Sequence, residues 1–234
     1  MVMGIGNWEL VNCQLSTLLN SLKMDVTKPS IIDTATFGLG CFWSPDAQFG
    51  ILEGVVRTRV GYAGGTTENP NYYHIGNHIE VVQIDFDRAG ISYAELLNIF
   101  WRSHNPRQLP TWSRQYMDAV FYCGEEQAEL ARSKLNSEQA AGGEIYTLVE
   151  PLTAFYLAED YHQKYYLRQE TELMKEFDRI YDRAQFINST VAAKVNGYVA
   201  GCGSLPALKA EIKEFGLSAA GCEKLEKLVS RSRR

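Results

Sequence analysis

The hydrophobic positions of the chain change period several times, and each change marks an element. Trp8, Leu10, Val11, Leu15, Leu18, Leu19 and Leu22 recur at helical spacing, which predicts an amphipathic N-terminal helix. After Pro29, Thr34 to Leu39 reads as a short strand that ends in Gly38 and Gly40. Ser44-Pro45-Asp46 is a helix-start signal: a capping hydroxyl, a proline in the first turn and an acid at the positive end. Ala47, Phe49 and Leu52 carry that helix to Gly54. Val55 to Tyr62 alternates and is rich in β-branched residues, so it predicts a strand, punctuated by Gly64-Gly65. A second strand follows from His78 to Asp87. Ser92-Tyr93-Ala94-Glu95 has the capping-box form and opens a helix to about His104. Met117 to Cys123 alternates again as a strand. Glu125 to Ala141 reads as an exposed helix with i,i+4 charge pairs, and Ile145 to Val149 as an edge strand. Beyond Tyr161 the pattern is mostly helical, with Leu205 to Phe215 and Cys222 to Val229 as closing helices.

The leading order is strand, helix, strand, strand, helix, strand. It predicts an α+β fold with a ferredoxin-like βαββαβ core, a two-layer sandwich of antiparallel sheet under two helices. Extra helices and a long C-terminal segment elaborate it. There is no internal repeat, low-complexity segment or linker. The expected organisation is one domain with an N-terminal helical extension (1–33), a core (34–166) and a helical C-terminal segment (167–234).

Composition narrows the function. The chain has 234 residues, of which 45% are hydrophobic and 22% charged, as in soluble globular proteins, and this excludes disorder. The net charge of -5 comes without a basic face, which argues against nucleic acid; Arg231, Arg233 and Arg234 are a solvated tail. No stretch approaches the roughly 18 apolar residues of a membrane span, and the N-terminus lacks the pattern of a signal peptide. The expectation is a cytoplasmic monomer whose thiols stay reduced. Its five cysteines, Cys13, Cys41, Cys123, Cys202 and Cys222, are odd in number and irregularly spaced, so they read as thiols rather than disulfides.

Phe37-Gly38-Leu39-Gly40-Cys41-Phe42-Trp43-Ser44-Pro45-Asp46 is the most informative stretch. A cysteine at a strand end, just before a helix N-terminus, faces unpaired N–H groups and a dipole that favour a thiolate. Phe42 and Trp43 set two large aromatics beside that nucleophile, which suits an apolar group held near the sulfur. Glu80 shares its strand face with Val82, Ile84 and Phe86, while Gln83 and Asp85 point the other way. A carboxyl at the rim of an apolar face has a raised pKa and can serve as a general acid. His74 and His78 have helical ligand spacing, but Gly76-Asn77 breaks any helix between them, and no metal is expected. A cysteine hydrolase or transferase is the obvious competitor, with His78, His104 or His162 as base.

These residues resemble the peptide methionine sulfoxide reductase A family. The resemblance is carried by Gly40-Cys41-Phe42-Trp43, Gly61-Tyr62-Ala63-Gly64-Gly65, Asn69-Pro70-Asn71-Tyr72 and His78-Ile79-Glu80-Val81-Val82. Phe100-Trp101-Arg102-Ser103-His104-Asn105-Pro106, Gln115-Tyr116 and Ala158-Glu159-Asp160-Tyr161-His162-Gln163 continue it, in order, over roughly residues 34 to 166. It implies reduction of methionine-S-sulfoxide, free or in proteins, by a Cys41 thiolate that becomes a sulfenic acid. It further implies that Phe42 and Trp43 hold the ε-methyl group, that Glu80 protonates the sulfoxide oxygen, and that Tyr72 and Tyr116 hydrogen-bond it. No cofactor is implied; the reductant would be thioredoxin, acting on an intramolecular disulfide.

The chain departs from the family in two places that matter. An aspartate usual before the second tyrosine is missing from Pro110-Thr111-Trp112-Ser113-Arg114-Gln115-Tyr116. The family's Gly-Tyr-Cys is here Gly197-Tyr198-Val199, so the resolving thiol falls to Cys202 or Cys222. Glycines around Cys202 suggest a flexible segment, and a helix start suggests an activated Cys222. A reader of oxidised methionine that does not turn it over is the alternative of another class.

Overall fold

The computed structural model describes residues 31–109 and 113–231; the expected N-terminal helix lies outside them. Six strands form one mixed sheet: β1 (Ile32–Gly38), β2 (Val55–Ala63), β3 (Ile79–Asp87), β4 (Ala119–Tyr122), β5 (Leu148–Pro151) and β6 (Phe155–Leu157). Their spatial order is β5-β4-β1-β3-β2-β6. All neighbours pair antiparallel except β4 and β5, which are parallel. With the helices around it, this is an α+β protein.

Between the strands run α1 (Trp43–Gly50), α2 (Tyr93–Arg102) and α3 (Gly124–Ala140). In α2 the Ser92 side chain accepts the Glu95 N–H while Glu95 Oε2 accepts the Ser92 N–H, a reciprocal cap. Its buried residues Tyr93, Leu96, Leu97, Phe100 and Trp101 fall at i, i+3, i+4, i+7 and i+8, a stripe on one side of the helix. That stripe meets Ala35 and Phe37 of β1 and Val82, Ile84 and Phe86 of β3. Each fully buried large apolar side chain there contributes roughly 1.5–3 kcal/mol, so this layer carries much of the fold's stability. The opposite sheet face has a smaller cluster of Ala63, Ile79, Val81, Ala119 and Phe121. In α3 only Gln127, Ala128 and Ala131 are buried, and Lys134 pairs with Glu138 one turn on, as its charge pattern predicts.

The C-terminal segment adds α4 (Tyr165–Arg168), α5 (Thr171–Ile180), α6 (Arg183–Asn188), α7 (Thr190–Val199), α8 (Leu205–Glu211) and α9 (Ala219–Arg231). They share a separate apolar cluster built on Leu173, Phe177, Val195, Tyr198, Phe215 and Leu225. This layer meets the core through α7, which lies against α1. A Cβ on Gly50 would stand 2.9 Å from the Ala193 carbonyl oxygen, and one on Gly197 would stand 2.7 Å from that of Ala47. Two glycines thus allow backbone to touch backbone. None of the described helices is long and apolar enough to cross a membrane.

Asp46 lies in the first turn of α1, as the pattern predicts, and its carboxylate is also fully buried, accepting from Thr58 Oγ1 (2.6 Å), Lys164 Nζ (3.0 Å), the Lys164 N–H (3.0 Å) and Asn196 Nδ2 (3.4 Å). Ser44, by contrast, does not cap: the helix begins earlier, with Phe42 in the cap position, and the Ser44 hydroxyl bonds Tyr166 (3.1 Å). The edge strand runs from Leu148, not Ile145, because the Tyr146 N–H is taken by the Pro106 carbonyl and the ladder starts at Ala119 opposite Leu148. The β6 strand carries no signal in the sequence pattern; three residues are too few to show a period.

Candidate active site

The site is assembled where β1 ends and α1 begins. Gly38 packs so tightly that a Cβ would lie 2.8 Å from the Met117 carbonyl oxygen. Gly40 has φ +64°, a value that favours glycine, and its α-carbon faces open space. Cys41 follows, exposed, two residues before α1. Partial enclosure of its sulfur pushes the thiol above its ordinary pKa; the Trp43 N–H bond pulls it down, and the Glu80 carboxylate pushes it up again. The helix start therefore acts on Cys41 as expected from the sequence, but it is outweighed, and the resting thiol is raised rather than depressed.

Glu80 opposes Tyr62 in the β2–β3 register and is only 1% exposed. Its Oε2 accepts the N–H of Phe42 (3.1 Å), the residue after Cys41, and its Oε1 accepts from Gln115 Nε2 (2.6 Å). Burial lifts its pKa, and those two hydrogen bonds only partly offset the shift. This is a carboxyl suited to hold a proton beside a nucleophile.

Two tyrosines complete the group. Tyr72 lies in a 3-10 turn capped by the Asn71 side chain, and its N–H is anchored to Glu159 Oε1 (2.9 Å). Tyr116 lies in the turn Arg114–Tyr116 and hydrogen-bonds Tyr72. Burial, with the nearby Glu80 and Tyr72 and Cys41 beyond them, pushes the Tyr116 phenol up to about 12. The Tyr116 phenol is thus a donor across the neutral range.

The aromatic side of the site is layered. Phe42 is 1% exposed and packs on Tyr62 and the His162 ring. Trp43 is half-buried, stacked on Tyr165 with ring centroids 3.6 Å apart and 3° between planes. Its indole N–H donates to His162 Nδ1 (3.1 Å), which leaves the ring proton of neutral His162 on Nε2. Burial lowers the His162 pKa, against the pull of Glu159. Below this layer Glu159 also accepts the Tyr62 hydroxyl (2.8 Å).

The comparisons with known proteins fit this geometry. A family model described as peptide methionine sulfoxide reductase matches residues 33–195. The peptide methionine sulfoxide reductase of Drosophila melanogaster is 40% identical over 215 residues, covering 87% of this chain and 85% of that protein. The chain belongs to the peptide methionine sulfoxide reductase family. Two solved structures are similar to this reductase. Methionine sulfoxide reductase A of Corynebacterium diphtheriae is 32% identical with a TM-score of 0.54, covering 62% of this chain and 77% of its own. Mxr1 from Saccharomyces cerevisiae in reduced form is 28% identical with a TM-score of 0.54, covering 62% and 89% respectively. Membership makes the chain an oxidoreductase.

The histidines of this reductase serve the scaffold. His78 fastens a loop by accepting the Gly65 N–H (3.1 Å) and bonding the Thr67 carbonyl (2.8 Å). His74 bonds Asn71, and His104 bonds the Phe100 carbonyl and Thr147. Among the described residues no histidine hydrogen-bonds Cys41, so the Cys–His pair that marks a cysteine hydrolase is not formed here. Among the same residues no three His, Cys, Asp or Glu cluster as metal ligands.

Cys202 and Cys222 stand elsewhere. Cys202 lines a groove with Ile51, Lys194 and Glu211, and none of Cys41, Glu80, Tyr72 and Tyr116 lines it. Its segment is an ordered helix cap, not a flexible strap: the Gly201 N–H donates to the Tyr198 carbonyl (3.0 Å) and the Cys202 N–H to that of Gly197 (2.9 Å). Cys222, in the first turn of α9, packs against the C-terminal cluster, its thiol pointing at the Leu217 carbonyl (3.8 Å). Partial enclosure of the sulfur raises both thiols, although Cys202 as a residue is exposed, and Glu176 and Glu226 raise Cys222 further, so the helix start does not activate it. Gln115 and Tyr165 are site contacts to which sequence reasoning gave no role; Gln115 adjoins Tyr116, which is a signal, whereas Tyr165 reaches Trp43 only through the fold.

Proposed function

We propose that this reductase converts methionine-S-sulfoxide, free or in proteins, to methionine, with Cys41 as nucleophile and Glu80 as acid. The observation that carries the reading is the buried, pKa-raised Glu80 carboxyl bonded to the backbone of the residue after an exposed cysteine. The Cys41 thiolate attacks the sulfoxide sulfur while Glu80 delivers a proton to the oxygen, and Tyr72 and Tyr116 donate to it. Oxygen transfers as hydroxyl: the sulfoxide is reduced to the thioether and Cys41 is oxidised to a sulfenic acid. Because the Glu80 carboxylate is one cause of the raised Cys41 thiol, protonating Glu80 eases formation of the thiolate, so acid and nucleophile become competent together. Phe42 and Trp43 supply the apolar wall for the ε-methyl group, with Trp43 held by Tyr165 and His162.

Recycling falls to Cys202 and Cys222. A thiol condenses with the sulfenic acid, water leaves, a disulfide forms, and the dithiol of thioredoxin reduces it. Exposure of Cys202 supports its part; its capped position requires the cap to open first. The spatial order β4-β1-β3-β2 with α1 and α2 between them supports reading the core as ferredoxin-like. Exposed free thiols at Cys41, Cys123 and Cys202 support a reducing, cytoplasmic setting.

Mass spectrometry after one equivalent of methionine sulfoxide, without reductant, tests the reading. Methionine should appear in step with one added oxygen or a disulfide at Cys41, and Cys41→Ser should form none. Methionine formation by Cys41→Ser above a no-enzyme control overturns it, and an unreacted bound sulfoxide would mark a reader instead.

A further inference from the structure

We propose that a cavity beside Cys41 is a subsite for an organic cation carried close to the sulfoxide, with Asp118 as its recognition group. The source of that cation is the α-ammonium of free methionine sulfoxide or a lysine or arginine side chain flanking an oxidised methionine. The inference rests on the reductase reading.

The cavity, about 260 Å³, starts at Leu39 and Gly40 and runs between Ser103–Pro106 and Tyr116–Asp118 to Thr147. It therefore opens on the open side of Gly40, next to the nucleophile, and shares Tyr116 with the site. A group held there flanks the residue before Cys41 and the phenol of Tyr116.

Most polar groups along the walls are already engaged within the protein. The Ser103 hydroxyl donates to the Ile99 carbonyl (2.7 Å), and His104 uses one nitrogen on the Phe100 carbonyl (2.9 Å) and the other on Thr147 (2.8 Å). Tyr146 is bonded to Glu144 (2.8 Å). Asp118 differs. It is half-buried, it is the sole carboxylate among the lining residues, and its side chain has no hydrogen-bond partner among the described residues. Its backbone is fixed, because its carbonyl accepts the Leu148 N–H (3.0 Å) where β4 and β5 begin to pair. Burial raises its pKa, and the charge of the neighbouring His104 pulls it back only in part. An ammonium or guanidinium suits that carboxylate in charge and in hydrogen-bond sense, since it only donates and Asp118 only accepts.

Ratios of kcat/KM test this, with dithiothreitol as reductant so that recycling does not depend on a partner. One pair of short peptides carries Lys or Glu beside the methionine sulfoxide; a second pair is free methionine sulfoxide and its N-acetyl amide. The wild-type protein should prefer the Lys peptide by roughly tenfold at low salt, in KM rather than kcat. Asp118→Asn should bring that ratio near one, and Asp118→Lys should invert it; a general loss of activity cancels in the ratio. If the free amino acid loses its advantage over the amide in the same variants, the α-ammonium is a ligand; if only the peptide ratio moves, the flanking side chain is. Unchanged ratios in both variants overturn the subsite, while wild-type protein that turns over none of the four compounds overturns the reductase reading instead.

Discussion

Replacing Glu80 by glutamine separates its proton from its packing. The carboxylate accepts two hydrogen bonds, one per oxygen, from the Phe42 N–H and from Gln115 Nε2. The substituted amide has one acceptor and one donor end. Its oxygen keeps the Phe42 N–H, and its NH₂ meets Gln115 once that half-exposed side chain turns over to present its own oxygen. No buried donor is stranded, and a carboxyl that burial disfavours as an anion is gone, so stability should change by less than about 1 kcal/mol. Glu80→Ala, by contrast, leaves the buried Phe42 N–H without an acceptor and should cost about 1–3 kcal/mol. The chemical step tells the opposite story. Loss of a positioned general acid slows a reaction by roughly 10²–10⁴-fold, or about 3–5 kcal/mol in barrier. The assay is the single-turnover rate of methionine formation, with thermal melting alongside. The sign of the pH dependence follows from the raised pKa: protonated Glu80 persists above the ordinary carboxylate range, and the acid-dependent rate falls as pH rises through the raised value. The same shift gives stability that is full below the unfolded-state pKa and lost as pH rises through the folded one, a slope Glu80→Gln removes. A folded Glu80→Gln protein with an unchanged first turnover would refute the assignment and pass the proton to Tyr72 or Tyr116.

Three further outcomes follow from the same contacts. Because the Glu80 carboxylate is among the causes raising the Cys41 thiol, Glu80→Gln should shift Cys41 alkylation by iodoacetamide to lower pH; a shift upward, or none, contradicts that coupling. Asp46→Asn strips the counter-charge from the fully buried Lys164 ammonium and should cost about 3–5 kcal/mol in urea unfolding, whereas a loss below about 1 kcal/mol would show that the pair does not hold the two layers. Cys202→Ser should leave the first turnover intact and stall thioredoxin-driven cycling with Cys41 as sulfenic acid; normal cycling would remove Cys202 from the relay.

What can be read from the sequence is what local chemistry decides. Ser92 and Glu95 announce α2 because both halves of a reciprocal cap lie three residues apart, and the pairing of Glu80 with the Val82–Ile84–Phe86 face follows from the period of two. The extent of β5 and the presence of β6 depend instead on partners far along the chain, Pro106 for the Tyr146 N–H and Tyr62 opposite Tyr156. The site divides in the same way. Cys41 and Glu80 are visible as residue types in telling positions, but the direction of the Cys41 shift is set first by how far the fold encloses its sulfur, with a smaller push from a carboxylate 39 residues away that strand register delivers, and neither is written in the local pattern. Asp46 reads as a helix-start acid because nothing near it in the sequence names Lys164 or Asn196.

Those buried contacts also limit how Cys202 can move. Asn196 is tied to Asp46 and to the Leu167 N–H (3.0 Å), and Gly197 is pressed on Ala47, so α7 cannot slide along α1 without breaking the layer contact. Any swing of Cys202 must then begin after Val199. The cap there is held by three backbone hydrogen bonds, Ala200 to Asn196, Gly201 to Tyr198 and Cys202 to Gly197, worth together about 1.5–4.5 kcal/mol, which puts an open form on the order of 0.1–10% of the population. Gly201 has φ +81°, where an alanine costs roughly 1–2 kcal/mol. Since opening the cap releases that strain, Gly201→Ala should raise the open fraction and speed disulfide formation after the first turnover by up to about tenfold, with the first turnover unchanged. Rapid quenching of the sulfenic acid and of free thiols reads both steps. Disulfide formation in Gly201→Ala that is no faster than in the wild-type protein would show that this cap does not gate recycling.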